Sequence, residues 1–196
     1  MAPRPRVSLR LATGAVVGLW LPYTVLNTVF PGPILTYILG MGVALASTSI
    51  LGLAGMTRGD RLLRAGSVSR AGVWCTAGIL GTAPAAAVAG LPHYWGWIDL
   101  LLYAPASAVA QELYFRGALL PALVRLCRPN VGRGLALQAL LFALWHARLF
   151  RIAPAPVAAA AVAGTFVVGL AWRWQALRER TELYTALQHT LFLAIF

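Results

Sequence analysis

The chain has 196 residues, 60% of them hydrophobic and only 11% charged, with a formal charge of +11 and a mean hydropathy of +0.75. Soluble domains carry about 25% charged residues, so these values exclude an ordinary soluble domain. They predict one all-α, polytopic membrane domain over residues 1–196. All sixteen basic residues are Arg and sit mostly between apolar runs. That placement suits orientation in a bilayer and argues against nucleic-acid binding. Arg without Lys, together with abundant Ala, suggests a GC-rich bacterial source.

In chain order, Arg4, Arg6 and Arg10 precede a first apolar run at 11–30. No small-x-small cleavage site ends it, so a retained span is expected rather than a signal peptide. Asn27 is its one strongly polar side chain, and Gly14 and Gly18 form a GxxxG pair that permits close helix approach. A Pro31-Gly32-Pro33 turn leads to a second span at 34–56. Residues 57–70 are a basic loop with Arg58, Arg61, Arg64 and Arg70 against Asp60, followed by a third span at 71–91. The stretch from Pro92 to Trp97 reads as an interfacial aromatic belt, with His93 as an anchor. Asp99 is a helix N-cap or first-turn residue.

A fourth element, 98–124, is expected to kink at Pro105. Arg125, Arg128 and Arg133 form the next basic loop, and a fifth span covers 133–147. A sixth covers about 155–172, a mixed loop holds Arg173, Arg178, Glu179, Arg180 and Glu182, and a short apolar run at 183–196 ends the chain. The expectation is a bundle of about seven membrane-embedded helices. With the N-terminus cytoplasmic and the C-terminus outside, only Arg148 and Arg151 break the positive-inside rule. Cys75 and Cys127 match no metal or redox spacing.

Three places carry chemistry. Glu112 and Arg116 are four apart, one helical turn from each other. An ionisable residue within a span marks a functional site by default. His146 and His189 each sit in another apolar run. At about 1.5 Å per residue, Glu112 lies roughly 18 Å, His146 roughly 20 Å and His189 roughly 12 Å from the cytoplasmic ends of their helices. Gln138, Phe142 and His146 recur every fourth residue as an inward-facing stripe, and Thr185 stands one turn before His189. A lone buried histidine is often a packing residue. Two of them with an ion pair at comparable depth have a joint task available. A carboxylate and an imidazole deprotonate a water, and a second imidazole donates to the oxyanion. The same Glu and two His could instead bind Zn²⁺, but no His-Glu-x-x-His helix is present.

These residues resemble the intramembrane glutamic proteases of the CAAX-protease and bacteriocin-processing (CPBP, or Abi) group, over 98–196. The first motif of that family is Glu-Glu-x-x-x-Arg, here Gln111-Glu112-Leu113-Tyr114-Phe115-Arg116-Gly117. The second is Phe-x-x-x-His, here Phe142 to His146. The third is His-x-x-x-Asn, here His189 to Leu193. The resemblance implies a multi-pass endopeptidase that needs no metal or other cofactor and acts on a membrane-associated peptide or protein. It implies that the first Glu and the second-motif His activate water, while the third-motif His and Asn hold the oxyanion. Those roles fall on Gln111, His146, His189 and Leu193.

Two departures stand out. Gln111 cannot act as a base, and Leu193 cannot donate a hydrogen bond. Either the chain is a non-catalytic scaffold or immunity protein, or Glu112 is the base and Gln111 orients the water. The second requires a small rotation, because adjacent residues differ by about 100° around a helix. It also sets a weaker base beside Arg116.

Overall fold

The computed structural model describes residues 7–30, 33–57, 67–88 and 97–195. Among them every regular element is a helix. The first apolar run is two helices, α1 (Leu9–Gly18) and α2 (Trp20–Val29). They part where Pro22 has no N–H to offer the Gly18 carbonyl. Next come α3 (Pro33–Leu53) and α4 (Arg70–Val88).

The fourth run is continuously helical but changes register twice. A π-helical turn at Asp99–Tyr103 leads into α5 (Ala104–Tyr114), and a second at Phe115–Leu119 leads into α6 (Leu120–Leu126). Each wide turn directly precedes a proline, Pro105 or Pro121, whose missing N–H a regular α ladder would leave as a gap. The expected kink at Pro105 is thus a change of helix register.

Asn130 caps α7 (Val131–Trp145) by accepting from the Arg133 N–H at 3.1 Å. The chain then tightens into a 3₁₀ turn, His146–Arg151. The last two helices are α8 (Ala155–Glu179) and α9 (Leu183–Ile195).

One segment differs from expectation. Residues 173–179 belong to α8 and are not part of a loop. Two of the three charged groups, Arg173 and Glu179, are buried and bonded to other parts of the chain, while Arg178 is exposed over the Trp174 ring. Arg173 donates to the Leu135 carbonyl, and Glu179 accepts from the N–H and the hydroxyl of Ser69, each at 2.8 Å. The helix stops at Arg180, which takes a left-handed conformation (φ 55°). Asp99 falls in the first turn of its helical run. His93, Asp60, Arg58, Arg61 and Arg64 lie outside the described residues.

α5 is central, packed against α3 on one side and α9 on the other, while α7 lies between α6 and α8. Gly134 lets the α7 backbone meet α6, since a Cβ there would sit 2.8 Å from the Val124 backbone. Gly14 and Gly18 face open space, so the GxxxG pair makes no close approach among the described residues.

Among the described residues, two helical stretches are long and apolar enough to cross a membrane, Leu9–Val29 and Ala155–Glu179, and Tyr37–Leu53 and Gly72–Thr82 are shorter apolar helices. Polar groups share the interior with an apolar core, and large apolar side chains also face outward. Asn27, Gln111, Glu112, Arg116, Gln138 and His189 are buried, while Trp74, Leu101 and Ile38 are 75%, 71% and 67% exposed.

Candidate active site

The site forms where α5 faces α9. Glu112 is 1% exposed. Its Oε1 accepts from the Arg116 guanidinium one turn on and from His189 Nδ1 at 2.8 Å. Its Oε2 accepts from the Thr185 hydroxyl at 2.8 Å. Thr185 and His189 are four apart, so α9 presents both to one carboxylate. Three donors, the Arg116 guanidinium among them, hold Glu112 in place. A buried carboxylate requires such compensation.

Arg116 is fully buried. Beyond Glu112, its guanidinium lies 5.1 Å from the Phe142 ring centre and 5.3 Å from that of Trp172. Aromatic faces supply favourable electrostatics where water is absent. It sits within the second π-helical turn, and such turns recur at functional sites.

Trp172 also packs on His189, the two rings tilted by 38° with centroids 4.9 Å apart. Sequence reasoning missed this residue, which looked like the end of an apolar run. Its only sequence signal is its place at the polar border of that run.

His146 caps the C-terminus of α7 and opens the 3₁₀ turn. Its Nδ1 lies 2.9 Å from the Phe142 carbonyl. A carbonyl can only accept, so this bond assigns the proton to Nδ1 and leaves the Nε2 lone pair free. The ring is half-buried. His146 and His189 both meet the Phe142 ring edge-on, with centroids at 5.0 and 6.0 Å. The Gln138–Phe142–His146 stripe does face inward, with Gln138 and Phe142 buried.

The structure therefore joins the first and third motifs directly through Glu112 and His189, and brings the second alongside across Phe142. Among the described contacts, Glu112 bonds His189 and not His146. Gln111 is 3% exposed; its Nε2 donates to Ser107 Oγ at 2.9 Å, and its Oε1 has no partner among the described residues. No three His, Cys, Asp or Glu side chains converge as metal ligands among the described residues. Both cysteines are free thiols.

The family model described as Type II CAAX prenyl endopeptidase Rce1-like matches residues 93–195. The chain belongs to this family. It is a family of proteases, and its match spans α5 to α9 with all three motifs. No curated protein and no solved structure matches the chain.

Within the Rce1-like match, the i, i+4 pair of Glu112 and Arg116 anchors the site from one helix. The other motifs arrive from α7 and α9, helices that pack on the same core. Helices α1 to α4 lie outside the matched residues.

Proposed function

We propose that this chain is a multi-pass inner-membrane endopeptidase. It hydrolyses a peptide bond in a membrane-proximal substrate segment by activating water without a metal. The observation that carries this reading is the Glu112 carboxylate, which ties Arg116 of the first motif to His189 of the third within a buried core. His146 stands across one shared ring.

In this mechanism Nε2 of His146 takes the proton of a water whose oxygen attacks the scissile carbonyl. The free Oε1 of Gln111 accepts that water's other hydrogen and so aims it. Glu112 is spent on three donors, so it acts as a positioning residue. It fixes His189 in the imidazolium form that this step requires, with Nδ1–H on Glu112 and Nε2–H donated to the oxyanion. When the tetrahedral adduct collapses, the C–N bond breaks and His146 returns its proton to the leaving amine. Glu112 thereby takes a positioning role in place of a base. The rotation that would turn it towards His146 would break its bonds to α9.

The membrane placement is supported by the many exposed large apolar side chains, since large exposed apolar surfaces mark contact with lipid or partners. Seven helical stretches, the N-terminus cytoplasmic and the C-terminus outside, remain the arrangement that charge favours. Arg148 and Arg151, which break that pattern, both bond α2: Arg148 donates to Asn27 Oδ1 at 3.4 Å and Arg151 to the Thr28 carbonyl.

An apolar groove of about 270 Å³ between α4, α8 and α9 is lined by Cys75, Ile79, Val168, Trp172 and Phe192. Trp172 separates it from His189 by one ring. An aliphatic substrate segment is suited to this groove, such as the C-terminal tail of an exported protein or a secreted peptide. A second reading, a non-catalytic membrane scaffold of the same family, is favoured by Gln111 and Leu193.

Cleavage of tail peptides by the purified protein in lipid vesicles tests both readings. Wild type should release a product with a new C-terminal carboxyl, with or without chelator, and Glu112→Gln should fall by about 100-fold. A silent wild type that gains cleavage in Gln111→Glu would establish the scaffold reading. Loss of activity with chelator would establish a metal.

A further inference from the structure

The family match leaves α2 unassigned, yet α2 bonds the end of α7 that carries His146. An α-helix leaves its last four carbonyls without intrahelical partners. Here side chains take carbonyls of that last turn and of the residue before it. Trp20 Nε1 donates to the Leu141 carbonyl at 3.0 Å, and His146 Nδ1 to that of Phe142. Asn27 Nδ2 donates to the Trp145 carbonyl at 3.3 Å.

Asn27 is 1% exposed, and both ends of its amide are used. Its Oδ1 accepts from Arg148, whose guanidinium lies 5.8 Å from the Trp145 ring. A polar side chain with no role would be expensive at such depth. Asn27 therefore bridges the residue before His146 and the residue two after it. The whole 3₁₀ corner is fixed from a helix more than a hundred positions earlier in the chain.

We propose that Asn27, held by Arg148, is a positioning residue for His146. It fixes the corner so that Nδ1 stays on the Phe142 carbonyl and Nε2 points to the reacting water. This rests on the reading of His146 as the base. It makes α2 a working part of the active site although it lies outside the family's matched region. Asn27→Leu removes both bonds and frees the corner to rotate. Misplacement of a catalytic group by about 1 Å costs on the order of 100-fold in rate.

The test uses full-length protein in lipid vesicles, labelled with ¹⁵N-histidine, and measures both tail-peptide cleavage and the ring-nitrogen shifts of His146. Wild type should show Nδ1 protonated and Nε2 unprotonated at neutral pH. Asn27→Leu should mix the two tautomers and lower kcat by roughly 10- to 100-fold, with KM within about twofold. Trp20→Phe removes a neighbouring bond and should leave the shifts of His146 unchanged. If Asn27→Leu does not fold, Arg148→Gln should move the shifts and kcat in the same direction by a smaller factor. Unchanged kcat and unchanged shifts in a folded Asn27→Leu would overturn the proposal. So would a change confined to KM. If wild type cleaves nothing, the peptidase reading fails, but the nitrogen shifts still decide whether Asn27 positions His146.

Discussion

Two buried carboxylates in this bundle have different surroundings. Glu112, 1% exposed, is held by a guanidinium, an imidazole and a hydroxyl. Glu179, 3% exposed, is held by the N–H and hydroxyl of Ser69 and by Gln175 Nε2 at 3.0 Å. Its partners in these bonds are neutral and cannot exchange a proton at ordinary pH. Ser69 stands just before α4, so Glu179 ties the start of that helix to the end of α8, and Gly72 leaves room for its oxygen. The comparison teaches that burial and hydrogen bonding do not by themselves distinguish chemistry from architecture. The identity of the partners does, because an imidazole on a carboxylate can serve a reaction while a backbone N–H serves a helix start.

The sharpest way to break this comparison is Glu112→Gln. It strands Arg116 and releases His189, so activity should fall by about 100-fold. Stability should fall by roughly 3–5 kcal/mol, the usual cost of breaking a buried pair from one side. Thermal unfolding in detergent and cleavage in vesicles read the two effects separately. Thr185→Val removes one of the three donors and keeps the volume. A loss of about 1 kcal/mol and a rate reduction of roughly tenfold are expected. Glu179→Gln is the mildest. Its stability loss should be roughly 1 kcal/mol, and the cleavage rate of the folded protein should stay within about twofold. A large rate effect from Glu179→Gln at unchanged stability would erase the distinction between the two sites.

Much of this was legible in the sequence because it is local. The Glu112–Arg116 pair and the Thr185–His189 pair are each one helical turn, and periodicity alone puts their members on one face. The order of helices followed from apolar runs and proline positions. The side of the helix was not legible. Whether Glu112 turns to α7 or α9 depends on how the π-helical turns at Asp99–Tyr103 and Phe115–Leu119 rotate the chain, and no residue pattern states that rotation. The charges after Trp172 looked like a loop because their partners, Leu135 and Ser69, are distant in sequence. Asn27 was visible as the one strongly polar group of its run, but its target, a backbone carbonyl at Trp145, has no sequence signature.

The most direct measurement is the cleavage rate of His146→Ala beside wild type, in the same vesicles and with chelator present. His146 is half-buried at a helix end, so the variant should fold and melt close to wild type. Loss of the general base should lower the rate by about 10²–10⁴-fold. Cleavage by His146→Ala at the wild-type rate would contradict the account.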